Sequence, residues 1–212
     1  YRLLNEGVKQ RLGGLHSAEC VIYSVDFAEI EALQHQGKWA EAGKLLAQHA
    51  MGVERGGADV LLLCTNTMHI VAGYIEGEIT IPFLHLADAT ANKVKGLGLT
   101  KVGLLGTAFT MEKPFYKDRL ASHGIEVIVP DESDRKIVHD VIYGELCLGM
   151  INEPSRDQYQ RIIASLVAEG ATGIIAGCTE IELLVSDNDC PVPLLKTTEL
   201  HVEAALDFAL YQ

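Results

Sequence analysis

Gly57-Ala58-Asp59-Val60-Leu61-Leu62-Leu63-Cys64-Thr65-Asn66 and Gly170-Ala171-Thr172-Gly173-Ile174-Ile175-Ala176-Gly177-Cys178-Thr179 run parallel without a gap. Each copy is a short apolar run introduced by Gly-Ala and closed by small polar or nucleophilic residues, which is the pattern of a buried parallel strand. Open α/β sheets bind ligands at the carboxyl ends of their strands. The repeat therefore marks two candidate half-sites. Counted from the shared Gly-Ala, Cys178 is matched by Thr65 and not by the neighbouring Cys64.

Outward from the two copies, helical and strand patterns alternate. Residues 1–12 read as a helix stopped by Gly13-Gly14, and residues 20–25 as a strand followed by Asp26, a suitable N-cap. Helices are expected over 27–36 and 39–55, then the Val60 strand, a helix from Thr67, a short strand over 82–86 and a helix over 88–95. The second half mirrors this order. Strands are expected at 101–105, 126–129, 173–176 and 194–195, and helices at 112–122, 134–148, 155–169, from Glu180, and at 198–210. Alternation of this kind defines an α/β fold with mainly parallel sheets flanked by helices. The Gly96–Thr100 stretch is the expected crossing between domains, giving a first domain of 1–97 plus 198–212 and a second of 98–197. The last helix returns to the first.

The 212 residues are 48% hydrophobic and carry 17 Lys and Arg against 29 Asp and Glu, a net charge of −12. That balance argues against nucleic acid or an anionic membrane surface as a partner. Uninterrupted apolar runs such as residues 60–64 fall far short of the roughly 18 residues of a membrane span. The five cysteines are widely spaced and form no CxxC, so neither a disulfide framework nor a zinc site is indicated. A cytoplasmic protein with reduced thiols is the expectation. The N-terminal residues carry no secretory pattern. It opens at Tyr1 inside an amphipathic pattern (Leu3, Leu4, Val8, Leu12), which points to further sequence upstream.

A thiol directly between a parallel strand and a helix sits where backbone N–H groups and the helix dipole favour negative charge. Cys178-Thr179-Glu180 fits that description, with a thiol pKa lowered from about 8.5; the alternative is a buried small hydrophobe. Cys64, adjacent to Thr65, is expected to point the other way, into the core. His69 either orients a site group or packs. His85, His123 and His139 show no partner pattern and default to packing or surface roles. Glu180 either complements the dipole or holds an ammonium group. The motifs contain no metal-ligand cluster, no phosphate-binding Gly-rich loop and no Schiff-base signature.

Cys64-Thr65-Asn66-Thr67-Met68-His69 with Gly177-Cys178-Thr179-Glu180-Ile181 resembles the paired signatures of the aspartate/glutamate racemase family, within the Asp/Glu/hydantoin racemase superfamily. Leu105-Gly106-Thr107 with Thr110-Met111, Gly13-Gly14 with His16, and Ser24-Val25-Asp26-Phe27 extend the likeness along the whole chain. It is most similar to the enterobacterial type specific for L-aspartate or L-glutamate. The resemblance implies two pseudo-symmetric α/β domains with the site in the cleft between them, no cofactor, and racemisation by two groups flanking the α-carbon. Carried over, Cys178 is one catalytic group and Thr65 stands where the other cysteine is expected. Asn66, Thr67, Thr179 and Glu180 would bind the substrate's amino and α-carboxylate groups, and Gln34 its side-chain carboxylate. Lys196 departs from the Asp found there in many members. The family also begins with a strand and a Gly-rich turn, absent before Tyr1. The implied substrate is a small acidic amino acid, bound by a homodimer. Other readings are a maleate isomerase or arylmalonate decarboxylase type, using Cys178 as nucleophile or single proton donor, and a non-catalytic carboxylate-binding protein.

Overall fold

The chain opens with three helices, α1 (Arg2–Leu12), α2 (Phe27–His35) and α3 (Trp39–Arg55). Asp26 caps α2 by accepting the Ala28 N–H at 3.0 Å. In α3 the small and apolar residues Ala42, Leu46 and Ala50 recur every four positions and form one buried stripe, the spacing that places side chains on a single helix face. Gly57, at φ 93°, turns the chain out of α3, and Gly170, at φ 98°, does the same where the second copy of the repeat begins. Only glycine takes this conformation without strain, so the repeat starts with the same helix stop twice.

In the computed structural model, which describes residues 1–211, these helices belong to the first of two units, made of Tyr1–Leu63, Met68–His85 and residues 201–211. It also holds β1 (Leu61–Leu62), α4 (Ala72–Glu76) and β2 (Phe83–Leu84), with β1 and β2 parallel and Leu61 opposite Phe83. Its core joins Ile30, Ala42, Leu46, Ala50, Leu61, Met68, Val71 and Ile75. The last helix contacts this unit: His201 Nε2 lies 2.7 Å from the Leu84 carbonyl, and Arg11 pairs with Asp207 at 2.7 Å.

The second unit comprises Cys64–Thr67 and Leu86–Leu200. Its elements are α5 (Leu86–Gly96), β3 (Lys101–Gly106), α6 (Ala108–Glu112), α7 (Pro114–Ser122), β4 (Glu126–Ile128), α8 (Glu132–Gly144), α9 (Glu153–Ala168), β5 (Ile174–Gly177), α10 (Ile181–Leu184), β6 (Leu194–Lys196) and the start of α11 (Thr197–Tyr211). The four strands form one parallel sheet in the order β4-β3-β5-β6. Alternate residues serve opposite faces. Leu105, Ile174 and Ala176 join the core under α8 and α9, whereas Val102, Leu104 and Ile175 join the core with α5 and α7. Both central strands are thus covered on both sides, which is why they read as continuous apolar runs.

Three sequence expectations change. Residues 20–25 form no strand, and Val21, Ile22, Tyr23 and Val25 are exposed. β propensity makes no strand without a neighbour to accept its hydrogen bonds, and β1 pairs with β2 instead; Tyr23 stacks on His49 at 4.3 Å. Cys64 is exposed rather than in the core. Pairing of β1 ends at Leu62, so the strand alternation that was to turn Cys64 inward no longer operates there. The units also divide at His85/Leu86 rather than within residues 96–100, because Leu86, Ala87, Ala91 and Val94 of α5 are buried in the second unit's core.

Candidate active site

The carboxyl ends of β3, β5 and β6 are neighbours in the sheet, and each is followed at once by a polar residue: Thr107, Cys178 and Thr197. Gly106 and Gly177 face each other across β3 and β5 at this edge. A Cβ on Gly106 would come within 2.9 Å of the Gly177 carbonyl, and one on Gly177 within 2.8 Å of the Leu105 carbonyl. The two strand ends approach closely because neither residue has a side chain.

The segment Cys64–Thr67 lies along this edge, tied down at two points. Asn66 Nδ2 donates to Thr197 Oγ1 (3.0 Å), which in turn donates to the Ala176 carbonyl (2.9 Å). Thr67 Oγ1 lies 2.9 Å from Thr107 Oγ1 and 3.2 Å from Thr110 Oγ1. Thr107 also caps α6, accepting the Thr110 N–H at 3.3 Å. Asn66 and Thr67 thus reach the ends of β6 and β3, on either side of β5 and the Cys178 that follows it. Both are buried, and among the described residues Asn66 Oδ1 is a buried acceptor with no hydrogen-bond partner. Thr65 is half-buried.

Cys178 is 8% exposed, and its thiol donates to Glu180 Oε2 at 2.9 Å; the Thr179 hydroxyl donates to the same oxygen at 2.7 Å. The sequence expectation of a lowered thiol pKa is corrected here. Burial pushes the Cys178 pKa well up, and the Glu180 charge and hydrogen bond add to it. The helix that was to stabilise the thiolate, α10, has only four residues. Its dipole is too small to offset a carboxylate in contact with the sulfur. The resting species is therefore a thiol with its proton already directed at a carboxylate. That geometry suits donation to a carbanion, or transfer to Glu180 to leave a thiolate base.

Gln34 lies in the other unit, buried, with its amide donating to Met68 Sδ at 2.9 Å. His69 is buried there too, its ring 4.5 Å from that of His85 and 6.1 Å from that of His201. Lys196, at the end of β6, pairs with Asp187 at 3.0 Å and lies 3.8 Å from Glu199. Thr107, Thr110 and Thr197 were not among the site residues expected from the sequence. The signal for the first two was present in the Leu105-Gly106-Thr107 and Thr110-Met111 matches, and for Thr197 in its place directly after Lys196, where the family resemblance puts an Asp before a Thr. Among the described residues no group of three or more His, Cys, Asp or Glu side chains is arranged to hold a metal ion, and no helix is long and apolar enough to cross a membrane.

An α/β unit with a thiol and clustered hydroxyls at the carboxyl edge of its sheet has clear relatives. The profile of the Asp/Glu/Hydantoin racemase family matches residues 1–205. The structure of a Yersinia pestis protein, described as a candidate Asp/Glu racemase, superposes with a TM-score of 0.92 at 55% identity, over 99% of this chain and 92% of that one. An aspartate racemase homologue from Pyrococcus horikoshii OT3 gives 0.85 at 30% identity, over 99% and 91%. The broad specificity amino-acid racemase RacX of Bacillus subtilis is 22% identical over 162 residues, 74% of this chain and 68% of that protein. The chain belongs to the Asp/Glu/hydantoin racemase family. It is accordingly an amino-acid racemase, an isomerase.

Proposed function

We propose that the protein racemises a small acidic amino acid, L-aspartate or L-glutamate, by direct proton transfer at the α-carbon without a cofactor. The observation that carries this reading is the Cys178 thiol held on Glu180 Oε2. Transfer of that proton to Glu180 leaves a thiolate that removes the α-proton of the L-enantiomer, and Thr65 supplies a proton to the opposite face of the carbanion. The repeat register supports Thr65 in this role, since it matches Cys178. The buried, unpartnered Asn66 Oδ1 suits a substrate ammonium, as does the Glu180 carboxylate before it takes the thiol proton. The hydroxyls of Thr67 and Thr179 suit the α-carboxylate, and Gln34 the side-chain carboxylate. A homodimer working in the cytoplasm completes the proposal.

Proton nuclear magnetic resonance in heavy water, with L- and D-aspartate and L- and D-glutamate as substrates, tests the reading. Loss of the α-proton signal together with formation of the opposite enantiomer is expected, without added cofactor and unaffected by chelator. Absence of exchange on all four would overturn it. Because a hydroxyl donates a proton readily but is a poor base at neutral pH, exchange on L-substrate should outrun inversion. Thr65→Cys should raise kcat selectively from the D-enantiomer, and an unchanged D-direction kcat in a folded variant removes Thr65 from the chemistry.

A second reading has its own support. A thiol with a raised pKa is better suited to give a proton than to take one. A single-donor enzyme of the decarboxylase type, in which one proton replaces the departing CO2, uses that property alone. It would show no α-proton exchange on either amino acid, but would deliver one solvent deuteron to its product.

A further inference from the structure

We propose that His139 is a positioning residue of the candidate site, its imidazole fixing the turn that carries Thr107 and Thr110. The turn cannot fix itself. Helix α6 has five residues, too few to be stable alone, and its first N–H groups have no partner within the helix. Thr107 satisfies one of them, the Thr110 N–H. The Ala108 N–H goes instead to His139 Nδ1, at 3.2 Å, across from α8.

The contact belongs to a stripe. Arg135, His139 and Tyr143 follow one another at intervals of four along α8 and so share a face. Arg135 Nε donates to Glu112 Oε1 at 3.1 Å, at the last residue of α6, while His139 takes the N–H of the first. The two contacts clamp the short helix at both ends. The His139 ring is itself held, 4.8 Å from the ring of Tyr143 and edge-on to Phe109 at 6.2 Å. Accepting an N–H requires a lone pair on Nδ1, so the imidazole is neutral with its proton on Nε2. From Ala108 the chain of contacts runs to Thr107 and Thr110, and from their hydroxyls to Thr67. Among the groups proposed to meet substrate, this chain of contacts ends at Thr67. His139 thereby sets where the Thr107 and Thr110 hydroxyls stand, and through them the Thr67 hydroxyl proposed to meet the substrate carboxylate.

The latch stands on geometry alone, while its effect on substrate rests on the racemase reading, and the experiment separates the two. His139→Phe keeps a ring between Phe109 and Tyr143 but has no acceptor; His139→Asn keeps an acceptor oxygen near the place of Nδ1. Amide hydrogen exchange of Ala108, followed by nuclear magnetic resonance on the free protein, is expected to speed up about tenfold in His139→Phe and to stay near wild type in His139→Asn. In the exchange assay KM for the acidic amino acid should rise about tenfold in His139→Phe with kcat little changed, as when binding shared by ground and transition states is lost. His139→Asn should restore it. Unchanged Ala108 exchange in His139→Phe, or a KM loss that Asn does not rescue, overturns the proposal. If His139→Phe does not fold, His139→Leu and His139→Asn carry the same comparison. A wild-type protein without racemase activity overturns the functional reading instead, and leaves Ala108 exchange to decide the latch.

Discussion

At the scale of single residues, Cys178 and Glu180 act as one unit. Burial raises the thiol pKa and the carboxylate adds to it while accepting the thiol hydrogen bond, so in the proposed mechanism Glu180 slows alkylation yet serves as the proton acceptor. Glu180→Gln removes the charge but leaves the sulfur in place. Alkylation of Cys178 by iodoacetamide should become faster in this variant, while α-proton exchange falls by at least about tenfold. Peptide mass mapping at graded times reads the first, and the heavy-water assay the second; a variant that gains or loses both together would contradict the coupling. In the wild type, Cys178 should label slowly at neutral pH and about tenfold faster per pH unit through the range below its raised pKa, because only the thiolate reacts. Exposed Cys20, Cys64 and Cys147 should label first. Cys178→Ser is expected to cost about 10²–10⁴-fold in exchange, whereas Cys64→Ser changes it by less than about threefold. Equal losses at both would make Cys64 the second acid–base group.

At the scale of elements, the site depends on how closely β3 and β5 approach at their ends. Gly177→Ala would bring its Cβ within 2.8 Å of both the Leu105 carbonyl and Leu104 Cδ1, so the strands must part. Overpacking of this kind costs about 1–3 kcal/mol. Because the displaced edge carries Cys178, activity should fall more than stability alone accounts for. Gly73→Ala, in α4, is the opposite case. Nothing lies within 4 Å of the added atom, and replacing a helix glycine removes backbone freedom from the unfolded chain, for a gain of about 0.5–1 kcal/mol. Denaturant unfolding of the two variants should move in opposite directions from wild type. The same scale shows why the repeat was a good guide to β5 and a poorer one to β1. Both copies have the helix-stopping glycine and the apolar run. Only the second has strands on both sides to extend it through Gly177.

At the scale of the whole molecule, the two units carry buried titratable groups that fail at opposite ends of the pH range. In the first unit His201 is buried, and burial holds its pKa below the usual imidazole value. The folded form then binds fewer protons than the unfolded, so stability is present above about pH 6.5 and is lost as pH falls through and below it. In the second unit burial raises the pKa values of Cys178, Tyr116 and Tyr159. The folded form keeps protons that the unfolded chain releases, so stability is full below about pH 8.5 and falls as pH rises beyond it, first through the thiol and then, near 10, through the phenols. Each such group contributes a slope of up to about 1.4 kcal/mol per pH unit. Hydrogen exchange with mass spectrometry, corrected for intrinsic rates, should show α3 losing protection first in acid and α9 first in alkali. The reverse order would mean that other groups govern stability in the two units.

By itself the sequence determined what is local in the chain: the α/β order, the glycines that end helices at Gly57 and Gly170, the apolar runs of the central strands, and the cluster Cys178-Thr179-Glu180. These depend on periodicity, on backbone conformation and on neighbours one or two positions away, all of which a linear string contains. The match of Thr65 to Cys178 is of the same kind. Tertiary structure alone decided the sign of the Cys178 pKa shift, because desolvation sums over a core drawn from Leu105 to Val185. It also decided the exposure of Cys64, which turned on where β1 stops pairing. It joined Asn66 to Thr197 across 131 positions and Thr67 to Thr107 across 40, and it gave His139 a partner in Ala108. Hydrogen-bond partners and burial are set by residues that meet only when the sheet has formed, so no reading of spacing reaches them.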